Sequence, residues 1–233
     1  MKFNDRLRGK KAVGHILPAK TLAAAFPSSY PAALTITLTH DSAMRRYIML
    51  TLMSIIIGSC TDNFTFSGYP CYLVIDNSIH QDPTLASAMS PTSPGVFCQI
   101  SADEVKHQYQ LTNNYGQSSV TAYTAVDLRL TRDVGMNNAI IVGYGTLTGL
   151  FYAYDRECPN CFVPDAIPVR SKPLTIGQDG MATCAVCKRR YDMNNGGNCV
   201  YAENDGDAKG AKGMTRYRGS TTGPFGRLAV SNN

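Results

Sequence analysis

Short runs of apolar, β-branched or aromatic residues recur after residue 70, each bounded by residues that favour turns. Runs of this length predict β-strands rather than helices. The predicted strands are residues 71–75, 95–100, 119–130, 139–144 and 150–154. Three hairpins complete the pattern, with turns at 145–149, 178–180 and 223–226. The strands that flank the last two turns are 174–176 with 181–186, and 214–221 with 227–230.

Helical periodicity is nearly absent from this part of the chain. The only start signal is Ser101-Ala102-Asp103-Glu104, which has the order of a capping box, and a plain polar loop explains it almost as well. Residues 194–213 are rich in Asn, Gly, Asp and Lys and predict one or two surface loops. Because no internal repeat follows Cys60, the sequence predicts one all-β domain over residues 69–233.

A different pattern precedes Cys60. Met44-Arg45-Arg46 is followed by an uncharged, largely apolar run at 47–57, which is too short for a permanent membrane span, and then by small residues. These parts predict a signal peptide at 44–59, and a buried core helix is the alternative. Residues 1–43 are then an over-extended gene start or a disordered leader, or else a long basic region of the signal, and they are excluded from fold reasoning.

The residues Ile57-Gly58-Ser59-Cys60 resemble the lipobox of bacterial lipoproteins. The resemblance implies that Cys60 becomes the first residue of the mature protein and carries lipid, with palmitate among the acyl chains. Residues 60–68 then form a tether. We expect an envelope protein anchored in the membrane by this lipid, on the outer membrane or on the periplasmic face of the inner membrane.

The formal net charge of +5 raises the question of a nucleic-acid partner. Eight Lys or Arg residues and only two Asp residues lie in 1–59, so the positive excess precedes Cys60 and the rest of the chain is close to neutral. A body without a basic patch has little with which to neutralise phosphates. We therefore expect no nucleic-acid partner.

Two C-x-x-C motifs carry the strongest chemical signal in the chain. Cys158-Pro159-Asn160-Cys161 and Cys184-Ala185-Val186-Cys187 are separated by 22 residues. Each motif lets two thiolates of one tight turn converge on an ion, and two such turns complete a tetrahedral shell. The metal ligands predicted from this spacing are Cys158, Cys161, Cys184 and Cys187, in loops at about 156–165 and 182–192. Structural disulfides and a thioredoxin-like redox motif are the alternatives.

Other reactive residues show no catalytic arrangement. Cys71 and Cys98 lie in apolar runs, where buried thiols and a mutual disulfide are both reasonable, and Cys199 lies in a polar stretch. Asp155 and Glu157 flank the first motif and are interpreted as solvated loop charges. The sequence makes no enzymatic assignment, although a protein without catalytic activity is the expectation.

The stretch from 139 to 230 resembles the Rieske iron–sulfur domain. The matching segments, in order, are Ile140-Ile141-Val142-Gly143, residues 151–155 leading into Cys158-Pro159, residues 180–184, Tyr191-Asp192, Gly196-Gly197 and Arg216-Tyr217-Arg218. The resemblance implies an all-β, Rieske-like β-sandwich with a two-loop metal-binding subdomain. It covers about ninety residues.

The chain departs from this family at the metal ligands. Rieske domains carry C-x-H and C-x-x-H, whereas here Asn160 stands at the first histidine position and Cys187 at the second. The four histidines are His15, His40, His80 and His107, so none follows the motifs. The high potential given by two imidazoles cannot be carried over. Zinc is the preferred metal, because it is redox-inert and a four-thiolate shell is closed; iron, as one ion or an all-cysteine 2Fe–2S cluster, is the alternative.

Three functions follow as hypotheses. The first is a membrane-anchored lipoprotein with structural zinc, and the second is an electron-transfer iron protein in a membrane-linked chain. The third is a surface module that binds carbohydrate or protein. The sequence identifies neither a protein nor a redox partner.

Overall fold

The computed structural model of the protein describes residues 66–202 and 210–232, which form two antiparallel sheets and short helical turns. The predicted all-β fold class is confirmed. In chain order, the elements are β1 (Cys71–Asp76), α1 (Asn77–His80), α2 (Pro83–Ala88), β2 (Phe97–Asp103), β3 (Gln108–Asn113), β4 (Ser118–Ala122), β5 (Asp133–Val134), β6 (Ala139–Tyr144), β7 (Phe151–Asp155), β8 (Leu174–Ile176), β9 (Met181–Cys184), β10 (Arg190–Asp192), β11 (Asn198–Tyr201), β12 (Arg216–Thr221) and β13 (Arg227–Ser231).

The larger sheet has nine strands in the order β4-β3-β2-β6-β7-β12-β13-β1-β5. Strand β12 changes partner along its length: Arg216 and Tyr217 pair with β7, and residues 218–221 pair with β13. Apolar side chains from both halves of this sheet share one core, with Leu73 of β1 and Leu228 of β13 in the same cluster as Ile140 of β6.

The smaller sheet has the order β11-β10-β9-β8 and covers the other face of β6 and β7. Ile140 and Val142 point into the first core, whereas Ile141 packs with Tyr191 of β10 in a second core. Alternate residues of a strand face opposite sides, so β6 is buried on both. This explains why its sequence is an unbroken apolar run.

All three predicted hairpins form, as β6–β7, β8–β9 and β12–β13. Two other predictions are wrong. The single strand at 119–130 ends at Ala122, because the Asp127 carboxylate accepts hydrogen bonds from Thr124 and starts a helical turn. The capping box at Ser101-Ala102-Asp103-Glu104 is mostly strand, since β2 pairs with β3 as far as Asp103.

Strands β3 and β11 and helix α2 were not predicted, because a search for continuous apolar runs does not detect them. Strand β3 buries Tyr109 and Leu111 but alternates them with polar residues. Helix α2 begins at Pro83 after Asp82, whose Oδ1 accepts a hydrogen bond from the Leu85 amide at 3.0 Å, a typical helix start. The predicted surface loop at 194–213 contains strand β11, and its residues 203–209 lie outside the described residues.

The leader at 1–43, the signal peptide at 44–59, Cys60 and most of the tether at 60–68 also lie outside the described residues and stay predictions. Within residues 66–202 and 210–232, no helix is long and apolar enough to cross a membrane.

A buried polar cluster joins helix α1 to the turn after β4. The His80 Nε2 atom lies 3.0 Å from Asp127 Oδ2, and both side chains are almost fully buried. The Tyr109 hydroxyl donates to Asp127 Oδ1 at 3.2 Å, and the Thr124 amide donates to Oδ2 at 2.7 Å. Burial opposes the charge, but hydrogen bonds from Thr124 and the neighbouring His80 outweigh it and lower the pKa of Asp127 below its ordinary value.

We predict that Asp127→Asn lowers the free energy of unfolding at pH 7 by about 2 kcal/mol, because charge-assisted hydrogen bonds are lost in a buried site. Because the pKa of Asp127 is lower in the folded state, its ionised carboxylate stabilises the fold at pH values above the ordinary pKa of 3.8. This stabilisation is lost as the pH falls below 3.8 and through the lowered pKa. The difference between variant and wild type, measured by urea denaturation, should therefore shrink below about pH 4. The control is Asp133→Asn at an exposed position; a difference that stays constant across pH would contradict the assignment.

Candidate metal centre

The first cysteine pair lies in a turn just after β7. The Cys158 amide donates to the carbonyl of Lys172 at 2.9 Å, which ties this segment to the approach of β8. The amides of Cys161 and Phe162 both donate to the carbonyl of Cys158, at 3.1 and 2.9 Å. These two bonds close a single tight turn, so both thiols of the pair project from the same short segment.

The second pair lies at the end of β9. Cys184 is the last residue of that strand, and the Lys188 amide donates to its carbonyl at 3.0 Å. Lys188 has a φ of 57°, in the left-handed region that non-glycine residues rarely adopt. This conformation lets the chain turn back into β10, which begins at Arg190.

The two turns bring all four predicted ligands together. Their Sγ atoms all lie within 4.8 Å of one another. The Cys158 and Cys187 sulfurs are 3.7 Å apart, and those of Cys161 and Cys184 are 3.9 Å apart. All four are free thiols, so the disulfide alternative does not describe this structure. The cluster could hold a metal ion, and four cysteine sulfurs are a donor set that suits zinc or iron.

The four thiols differ in exposure and in acidity. Cys158 and Cys184 are buried, and Cys161 and Cys187 are partly exposed. Burial raises the pKa of the Cys158 thiol well above its ordinary value and raises the pKa of Cys161 to about 11. Burial also opposes the charge of Cys187, but hydrogen bonds from the Arg189 amide and from neighbouring thiols lower the pKa of Cys187 to about 7. One thiol of the cluster is thus ready to ionise near neutral pH, while two neighbours are held neutral unless a cation is present.

Tyr191 and Asn160 form a support for the cluster that the sequence analysis did not identify as functional. The Tyr191 hydroxyl lies 3.3 Å from Cys158 Sγ and accepts a hydrogen bond from Asn160 Nδ2 at 2.9 Å. Asn160 also exchanges two hydrogen bonds with the backbone of Lys212, at 2.9 and 3.1 Å. Because its oxygen already accepts from Asn160, the Tyr191 hydroxyl has its hydrogen free to donate, and donation to sulfur would stabilise a thiolate at Cys158.

Asp155 and Glu157 are buried, so their interpretation as solvated loop charges is wrong. The Asp155 carboxylate accepts hydrogen bonds from the amides of Met136 and Glu157, each at 2.7 Å, and from the Tyr217 hydroxyl at 2.8 Å. Glu157 accepts from Ser171 Oγ at 2.6 Å and from the Lys172 amide. Burial raises the pKa of Asp155 despite these bonds. The two carboxylates fix the backbone on both sides of the first cysteine turn.

The remaining described cysteines lie apart from the cluster or at its margin. Cys71 and Cys98 are free, buried thiols of the large core, which settles the choice between thiols and a mutual disulfide in favour of thiols. Burial raises the pKa of Cys71 to about 12. Cys199 of β11 is a partly buried free thiol that packs against the second core. Cys60, the predicted lipidation site, lies outside the described residues.

No protein-family model matches the chain, and searches of curated proteins and of solved structures find no significant match. The role of the site is therefore inferred from the residues of this chain alone.

We predict that Tyr191→Phe weakens metal binding by the cluster about tenfold, with zinc as the probe, because it removes the hydroxyl near Cys158 and leaves Asn160 Nδ2 with one fewer acceptor. Competition with a chromophoric chelator measures the affinity. Tyr201→Phe is the matched control, since Tyr201 is half-exposed on the neighbouring strand β11. Equal zinc affinities for the two variants would show that the hydroxyl does not act on the cluster.

Proposed function

We propose that the protein is an exported, lipid-anchored protein in which Cys158, Cys161, Cys184 and Cys187 hold one structural zinc ion. The observation that carries the proposal is the convergence of four free thiols within 4.8 Å of one another. A protein whose metal stabilises a binding or interaction domain accounts for this site without any catalytic group.

The sulfur spacing favours one ion over a two-iron cluster. Four sulfurs at about 2.3 Å from one zinc ion stand about 3.8 Å apart at the corners of a tetrahedron. The Cys158–Cys187 and Cys161–Cys184 sulfur separations, 3.7 and 3.9 Å, match that edge. A 2Fe–2S cluster instead places two thiolates on each of two irons, with bridging sulfides between them, and needs the pairs further apart. Each short contact here joins one cysteine from each turn.

A structural role follows from the closed ligand set and from the size of the smaller sheet. Four protein ligands leave no open position for a substrate. The strands of this sheet have three or four residues each, which is short for an independently stable sheet. An ion held between the turn after β7 and the turn after β9 would join this small sheet to the large one.

The Rieske-like assignment is part of the proposal. Two observations support it: the four candidate ligands come from two separate turns, and the segments that resemble the Rieske family occur in the same order. The absence of histidine from positions 108–233 argues against a high-potential centre. Zinc suits an oxidising compartment because it has no redox chemistry of its own.

Metal analysis of the full-length protein, purified without oxygen, tests the metal. We expect one zinc ion per chain, no visible absorption, and loss of zinc in the double variant Cys184→Ser, Cys187→Ser. The matched control is Cys199→Ser, which changes a nearby thiol outside the cluster and should keep its zinc. Bound iron with charge-transfer bands would contradict structural zinc and support the electron-transfer alternative. Protein without metal, and with the four thiols oxidised, would refute a metal site.

Labelling with radioactive palmitate in a bacterial host tests the anchor. We expect the wild-type chain to incorporate label and to sediment with membranes, and Cys60→Ala to incorporate none, because the thiol that receives the lipid is missing. Cys199→Ser should be labelled like the wild type. An equal signal from Cys60→Ala would show that residue 60 is not the lipidation site.

A further inference from the structure

A groove of about 480 Å³ lies where the edge of the smaller sheet meets the larger one. One wall is β8, which pairs with β9 on one side only and so forms the edge of its sheet. The opposite wall is the turn between β3 and β4, and Arg156 and Gln99 also line the groove. None of its lining residues is a metal ligand, so the groove is distinct from the cysteine cluster.

Arg156 lines this groove without a partner for its side chain. Its Nε atom is buried and makes no hydrogen bond, and no described residue forms an ion pair with it. No Asp or Glu among the described residues lines the groove. By contrast, Arg132 and Arg190 are paired with Glu104 and Asp179. A guanidinium next to a groove without acidic residues is suited to an anionic ligand, since it offers several N–H donors and always carries its charge.

The position of Arg156 is fixed by its backbone. Its amide donates to the carbonyl of Ala139 at 3.2 Å, and its carbonyl accepts from the Leu174 amide at 2.8 Å. The opposite wall is held as firmly. Asn114 accepts from the Phe97 amide at 2.9 Å and donates to the carbonyls of Gly95 and Gly177, at 3.0 and 3.2 Å. The bond to Gly177 ties the β3–β4 turn to the smaller sheet, so both walls are preformed.

Polar side chains that make no hydrogen bond to other described residues line the same groove as Arg156. Gln99, Thr175 and Gln178 line the groove with an amide, a hydroxyl and a second amide. Each of these groups both donates and accepts, which suits a ligand with many hydroxyls. Tyr115 adds a half-exposed ring at the β3–β4 turn, and an aromatic face can cover the C–H face of a sugar ring.

We propose that this groove binds an acidic sugar of the uronic acid class, with its carboxylate on Arg156 and its hydroxyls on the surrounding amides and hydroxyl. A carboxylate matches the planar guanidinium through two parallel hydrogen bonds. Within residues 66–202 and 210–232, Arg156 is the one cationic residue that lines the groove, which suits one negative charge better than a doubly charged phosphate. This inference is independent of the metal's identity.

The test uses full-length, metal-loaded protein and oligosaccharides ending in glucuronic, galacturonic or mannuronic acid, each beside its neutral counterpart. Calorimetric titration should give at least tenfold tighter binding to one or more acidic sugars than to the neutral partner. Arg156→Gln should abolish that preference. Arg190→Gln, which changes an exposed arginine on β10, should keep it. Metal content serves as the check that each variant is folded.

Three outcomes would overturn the proposal. The first is no binding of any acidic sugar at millimolar concentration, and the second is equal affinity for acidic and neutral sugars. The third is an acidic-sugar preference that Arg156→Gln leaves unchanged. Inorganic phosphate and an acetylated peptide with a free terminal carboxylate are titrated in parallel. Tighter binding of either one than of every acidic sugar would assign the groove to that other ligand instead.

Discussion

The region that joins the two sheets is organised around the approach of four cysteine sulfurs from two separate turns. Burial disfavours charged thiolates in this cluster, and it therefore raises the pKa of Cys158 and Cys161. Four thiolates this close would repel one another, and a divalent cation converts that repulsion into attraction. The smaller sheet has strands of at most four residues, so the cysteine turns add to an apolar layer and to a few hydrogen bonds, such as that from Asn114 to Gly177, in attaching it to the larger sheet.

Buried carboxylates support the same region from the side of the large sheet. Asp155 and Glu157 accept hydrogen bonds from backbone amides and hydroxyls on both sides of the first cysteine turn. Such bonds offset the cost of burying a charge and hold the backbone before a metal binds. The support lies in the segment that leads from β7 into Cys158, and no equivalent buried acid flanks Cys184 among the described residues.

Local signals account for what the sequence predicted correctly. Turn residues located all three hairpins, and the two C-x-x-C motifs located the cysteine cluster, because each feature spans only a few consecutive residues. The failures are non-local. The burial of Asp155 depends on Met136 and Tyr217, and the role of Tyr191 depends on a contact with Cys158, 33 residues away. Strand β3 was overlooked because alternation in a half-polar strand is weaker than an apolar run.

The metal cluster and the proposed sugar groove share one piece of chain. Residues 156–158 pair with 172–174, so Arg156 lies at the groove while Cys158 lies two residues away at the cluster. Strand β8 then forms a groove wall and pairs with β9, which ends at Cys184. An ion that holds both cysteine turns would therefore also support β8, one of the two groove walls. A metal held by the cluster would therefore support the proposed recognition without contacting the ligand, by stabilising one wall of the groove.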